Sequence, residues 1–142
     1  MDGVIYPIMK EHFERLESGK DVFCKFVGRG NPKVKVGDKI LFYRSGGSRE
    51  IVGEATISGM EYLEPDAAAS KYGDRLFIIK DELKRYVDQR DRPEGKKLLV
   101  FVLKDVRKYR KPFKMEKPIT MAGLTVTKKM YKGITSHAEA LP

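Results

Sequence analysis

Six consecutive apolar residues, Leu98 to Leu103, stand between Lys96-Lys97 and Lys104-Asp105. Successive strand side chains turn to opposite faces of a sheet, so a run without alternation reads as a strand buried on both faces. It is far too short to cross a bilayer. Lys97 to Tyr109 is therefore expected to be the central strand, fraying at its end into the charges of Arg107 to Lys111. Its neighbours are read at Asp21 to Val27, Lys39 to Arg44 and Ile51 to Tyr62. The last of these carries Gly53 and Gly59, which mark bends or bulges of a curved sheet. Ser45-Gly46-Gly47-Ser48 forms a tight connection, and Gly28 to Pro32 a loop. Strands in this order, without βαβ alternation, argue against a doubly wound parallel sheet.

Short helices surround these strands. Pro7 suits the first turn of a helix carrying Met9, His12, Phe13 and Leu16 on one stripe, stopped by Gly19. Pro65 opens a second helix, Asp66 to Tyr72. A third runs from Asp81 to Asp88, with Ile79, Leu83, Tyr86 and Val87 on one face, before a turn at Asp91 to Gly95. Thr127 caps a last helix with Met130, Tyr131 and Ile134. The expectation is a β-rich α+β fold, a mixed β pseudo-barrel with peripheral short helices. Residues 1–135 make one domain and 136–142 a loose tail. Val22, Ile40, Phe42, Ile57, Val100 and Val102 are expected in the core.

The strand pair at the middle of the chain resembles a known pattern. Val36-Gly37-Asp38-Lys39-Ile40-Leu41-Phe42-Tyr43, the Ser-Gly-Gly-Ser hairpin and Ile51-Val52-Gly53-Glu54-Ala55-Thr56-Ile57 look like the Gly-Asp strand pair of PUA-like domains. The first helix followed by Ser18-Gly19-Lys20 resembles the helix and Gly-x-Lys region of the ASCH branch. Pro118 to Gly123, with Thr127 and Tyr131, is similar to small uncharacterised archaeal proteins of that group. The resemblance implies a β pseudo-barrel in a family that mostly binds RNA. The chain departs from the ASCH pattern, which continues from its lysine into Glu-x-Arg, and reads Lys20-Asp21-Val22-Phe23-Cys24-Lys25-Phe26 instead. Some ASCH-like proteins hydrolyse modified nucleosides with that lysine, a threonine three residues on and a distant glutamate. Here Lys20 matches the lysine, Phe23 stands at the threonine position, and no glutamate carries over by spacing.

The charge is lopsided. The formal net charge is +9, with 29 Lys and Arg against 20 Asp and Glu. Twelve of the basic residues and only two of the acidic ones fall between Lys96 and Gly133. All of the positive excess thus sits in the last third, which favours a polyanionic partner, RNA or a nucleotide-like anion. A lysine-rich surface serving solubility is the alternative. Cys24 is the lone cysteine, so no internal disulfide is available, and Cys and His are too few for a zinc site. No metal or cofactor is expected. The start Met1-Asp2-Gly3-Val4 lacks the pattern of a signal peptide, no membrane span is read, and a reducing, cytoplasmic setting follows.

Three groups of residues are candidates for chemistry. Lys20 is either a favourable charge past a helix C-terminus or a phosphate contact, and it is a catalytic candidate if burial lowers its pKa. Arg44 and Arg49 flank the glycine hairpin, where two guanidinium forks and mobile backbone N–H groups suit a phosphate. Lys20, Arg44 and Arg49 are expected to converge on one cleft. Arg107, Lys108, Tyr109, Arg110 and Lys111, extended by Lys114, interleave cations with an aromatic ring, the composition for phosphate contacts beside a stacked base. Glu54 is a second catalytic candidate if it faces inward, but the alternation Val52, Glu54, Thr56, Ser58 places it on the solvent face. His12 reads as a packed histidine and Cys24 as a small buried hydrophobe. The leading reading is a stand-alone RNA-binding module. The alternative is a small hydrolase acting on a modified nucleoside or amide, with Lys20 in its site.

Overall fold

The structure, a computed structural model, describes residues 3–26, 33–88, 98–120 and 123–138, the side chains of 86–88 excepted. Six strands form one mixed sheet: β1 (Gly3–Ile8), β2 (Val22–Phe26), β3 (Lys39–Arg44), β4 (Glu50–Leu63), β5 (Leu98–Lys114) and β6 (Leu124–Val126). Their order is β2-β5-β4-β3-β1-β6. Only β1 and β3 run parallel; the other neighbours are antiparallel. The sheet curls into a half-barrel with short helices around it, α1 (Lys10–Glu17), α2 (Pro65–Tyr72), α3 (Lys80–Asp88) and α4 (Lys128–Ala138). This is the pseudo-barrel expected from the strand pattern.

The period of two divides β1 and β3 between two cores. Val4, Tyr6, Ile8, Ile40 and Phe42 join Phe13 and Leu16 of α1 on one face. Ile5, Leu41, Tyr43 and Ile51 join Ile134 and Ala138 of α4 on the other. Both faces of β1 and β3 are therefore covered, while the unalternating run of β5, Leu98 to Leu103, packs wholly in the first core. Of the six expected core residues, Val22, Ile40, Phe42, Ile57 and Val100 are fully enclosed, while Val102 is only partly buried.

Two departures at the ends of the chain have clear causes. The sequence around Pro7 forms a strand rather than the first turn of a helix, and α1 begins later, at Lys10. Among the described residues β6 pairs only with Gly3 to Ile5, so Pro7 lies beyond that pairing, where a missing N–H costs no described ladder bond. The last helix continues beyond residue 135, where a loose tail was expected, to the wholly buried Ala138. Thr127 does cap it, its hydroxyl accepting from the Met130 N–H at 3.2 Å. The loop at Gly28 to Pro32 and the turn at Asp91 to Gly95 lie outside the described residues.

The longest strands carry the irregularities that shape the site. The register of β4 against β5 shifts at three places, including those beside Gly53 and Gly59. A Cβ on Gly53 would collide with the Phe13 ring and the Arg107 carbonyl, so α1 sits this close only because residue 53 has no side chain. β5 does not fray at Arg107 but remains in the sheet to Lys114. Gly53 pairs with Lys108 and Ile51 with Phe113. One residue of β4, Val52, thus faces the stretch Tyr109 to Pro112, a wide bulge in an otherwise continuous ladder.

Candidate nucleic-acid interface and cavity

The bulge decides where the basic residues point. Lys108, Arg110, Lys111 and Lys114 are exposed and form no salt bridge among the described residues, although Lys114 stands across the ladder from Glu50. Tyr109, between them, turns the other way. It is 2 % exposed, and its hydroxyl donates to Glu54 Oε1 at 2.9 Å. The base-stacking role expected for Tyr109 is therefore corrected: its ring belongs to the second core. Burial first, then the Glu54 carboxylate, raises its pKa.

Glu54 also departs from expectation. It is 1 % exposed, not on a solvent face. It pairs with Leu41 across the ladder, and that face is covered by α4, which the strand pattern alone does not show. The buried carboxylate is satisfied from several sides. Tyr131 of α4 donates its hydroxyl at 2.8 Å to Oε2 and 3.0 Å to Oε1. Arg107 Nη2 lies 3.1 Å from Oε1 and Lys39 Nζ 3.5 Å from Oε2. Arg107 thus spends part of its charge inward, although its side chain stays partly exposed. Tyr131 is pushed up to about 12 by burial and by its bond to Glu54, so both tyrosines act as hydroxyl donors at neutral pH.

The hairpin cleft does not assemble as expected. Lys20 donates to the carbonyl of Asp74. Arg49, at φ 57°, donates to the Glu116 carbonyl at 3.3 Å. Arg44, half-buried, ends β3 opposite Ile8. Lys20 and Arg49 are thus turned to different segments, and neither they nor Arg44 lines the main cavity. The two catalytic candidates, Lys20 and Glu54, share no partner. Among the described residues no group of His, Cys, Asp or Glu could hold a metal ion. No helix among them is long and apolar enough to cross a membrane.

That cavity lies between β2, at one end of the sheet, and the Tyr6–Ile8 end of β1. It holds about 580 Å³ and is lined by Tyr6, Phe23, Lys25, His12, Phe77 and their neighbours. Lys25 is 4 % exposed, with Nζ 4.0 Å from the centre of the Tyr6 ring, a cation–π contact. The buried Tyr6 hydroxyl has no hydrogen-bond partner among the described residues. Burial, and secondarily Tyr62, pushes it up to about 12, so it remains a donor. His12 stands edge-on to Phe77 at 5.2 Å. Burial lowers its pKa, partly opposed by Glu82 at 3.6 Å, so near pH 7 it is mainly neutral. Cys24 on the same wall is pushed up to about 12 by burial and is an inert thiol. Sequence reasoning passed over this site. A lysine set inside the aromatic strand Phe23-Cys24-Lys25-Phe26 was its one visible signal.

Glu82 braces the rim of the cavity. Both of its oxygens accept from Arg15, and Oε1 accepts from the Ile79 N–H at 2.9 Å. The Arg15 guanidinium, with that N–H, lowers the carboxyl from 4.5 to about 2. A depressed carboxyl contributes stability that is fully present above the unfolded value, near 4.5, and lost as pH falls toward 2. Urea midpoints of the wild type are expected to fall across that window. Glu82→Gln should flatten the acid limb; an unchanged limb would remove this pair from the acid response.

A family model described as a domain of unknown function, DUF365, matches residues 1–128. An uncharacterized protein of Methanocaldococcus jannaschii is 33% identical over 103 residues, covering 68% of this chain and 95% of the relative. The ASCH protein of Zymomonas mobilis superposes with a TM-score of 0.75 at 17% identity, covering 94% of each chain. The N-terminal domain of McrB from Staphylothermus marinus gives 0.60 at 17% identity, covering 95% of this chain and 92% of that one. Human THYN1, solved in complex with DNA containing 5-methylcytosine, gives 0.56 at 13% identity, with full coverage of both. The fold is that of the ASCH and PUA-like proteins, as the Gly-Asp strand pair indicated.

Proposed function

Since the chain belongs to the DUF365 family, whose function is unknown, and carries an ASCH/PUA-like fold, we propose that it is a nucleic-acid-binding module whose main ligand is RNA. The observation that carries this reading is the β5 bulge, which holds Arg110 and Lys111 at the surface between the exposed Lys108 and Lys114, none of the four in a salt bridge among the described residues. Free cations in a row neutralise successive phosphates and release counterions. The DNA bound by THYN1 supports a polyanionic ligand on this fold. The test is binding of a labelled single-stranded RNA across a salt series. Affinity should be measurable at low salt and fall with a slope near ~0.7 per phosphate contact. Absence of binding at low ionic strength would overturn the reading.

The seam cavity adds a place for one base drawn out of the strand. Its aromatic walls suit a planar ring, and the Tyr6 hydroxyl and Lys25 ammonium offer donors to base acceptors. Tyr6→Phe removes a buried hydroxyl that has no hydrogen-bond partner among the described residues, so the melting temperature should not drop. RNA affinity should weaken by about tenfold, the loss of one hydrogen bond. Unchanged affinity would take the cavity out of the RNA site.

A further inference from the structure

The bulge on β5 is bracketed by a helix that touches both of its ends. Tyr109, where the bulge begins, and Tyr131 of α4 donate to the same carboxylate, Glu54, at 2.8 to 3.0 Å. Phe113, where the ladder resumes, meets His137 of α4 edge-on at 5.4 Å. Between these two contacts the bulge residues lack regular pairing with β4. An unpaired stretch of strand keeps one conformation only if its surroundings hold it.

We propose that Tyr131 is a positioning residue for the nucleic-acid surface: through Glu54 it holds α4 against β5 and so fixes the bulge that presents Arg110 and Lys111. Tyr131 touches no phosphate itself. α4 adds to the same surface, because Lys128, Lys129 and Lys132 are exposed along it. Two of these lysines lie in the first helical turn, where the helix dipole disfavours cations. That placement costs helix stability and gains positive potential for an anionic partner. The proposal rests on the reading of the bulge as a phosphate-binding element, and its test separates the two.

The experiment uses the whole chain with Tyr131→Phe, which keeps the ring and deletes the hydroxyl. Hydrogen exchange on the protein alone should speed up by about tenfold at 109–113 and in α4, with β2 and β3 unchanged. Unaltered exchange in the bulge would overturn the proposal whether or not the protein binds RNA. With a fluorescein-labelled oligouridine, the salt slope should become shallower by roughly 1.4, two contacts at about 0.7 each. A purely structural role would lower the melting temperature and leave that slope intact, which would also overturn it. Arg110→Ala with Lys111→Ala should weaken binding clearly in the wild type and by less than about twofold in the Tyr131→Phe background, by the logic of a double-mutant cycle. Full additivity would count against it. If Tyr131→Phe unfolds, His137→Ala loosens the other bracket and should give the same exchange pattern. Wild-type protein that binds no oligouridine would sink the RNA reading alone, since the exchange result still decides the role of Tyr131.

Discussion

Glu54→Ala is expected to lower the unfolding free energy by about 3–5 kcal/mol, the range for breaking a buried ion pair by removing one partner. The size follows from what the carboxylate leaves behind. The Tyr109 hydroxyl is enclosed and loses its acceptor, and that of Tyr131 loses both of its bonds. Lys39, only partly exposed, loses its counter-charge. Arg107 is better placed to turn toward water, since its side chain is 42% exposed, which favours the lower end of the range. Glu54→Gln keeps an acceptor for one hydroxyl but brings an amide donor among donors, so a smaller loss of about 1–3 kcal/mol is expected. Urea denaturation monitored by circular dichroism measures both. A cost below about 1 kcal/mol for Glu54→Ala would mean that the carboxylate does not hold α4 and β5 together.

Removing the four free cations of the β5 row should have the largest effect on binding. Replacing Lys108, Arg110, Lys111 and Lys114 together by alanine leaves both cores untouched, because all four are exposed. Four lost phosphate contacts would flatten the salt slope by roughly 2.8. If affinity at about 1 M salt is unchanged, that slope difference amounts to a loss of several hundredfold at about 0.1 M. Different RNA sequences should suffer about equally, since phosphate contacts position the strand without reading it. Anisotropy titrations at several salt concentrations decide the matter. A normal slope in a folded quadruple variant would move the interface elsewhere.

Much of this molecule was legible before any coordinates. The strand at Lys39–Arg44, the long glycine-bent strand after it and the apolar strand at Leu98 to Leu103 are where the sequence places them, because alternation, turn residues and unbroken apolar runs are local signals, although the last stands beside the end strand β2 and not at the centre of the sheet. The concentration of cations in the last third was equally plain from counting. The inert character of Cys24 also followed, since a thiol in an apolar strand has nothing nearby to ionise it. The first strand was hidden by Pro7, which reads as a helix start unless its place beyond the described β6 pairing is known.

The direction in which single side chains turn was a matter for the tertiary structure. Glu54 fits an alternation that points to solvent and Tyr109 sits among surface cations in the sequence, yet both are enclosed. Their face is roofed by α4, which comes from more than seventy residues beyond Glu54 in the chain. Similarly, the cavity is built from Tyr6, Phe23, Lys25 and Phe77, brought together only because β1 and β2 meet across the open seam of a curled sheet. The sequence by itself determined which residues must be buried somewhere and how much charge the surface would carry, since hydrophobic period and net charge are properties of the chain. Which cations stand free, which carboxylate is shut in and where a ligand finds room depended on long-range packing, because an ionic side chain takes its role from the neighbours that folding puts beside it.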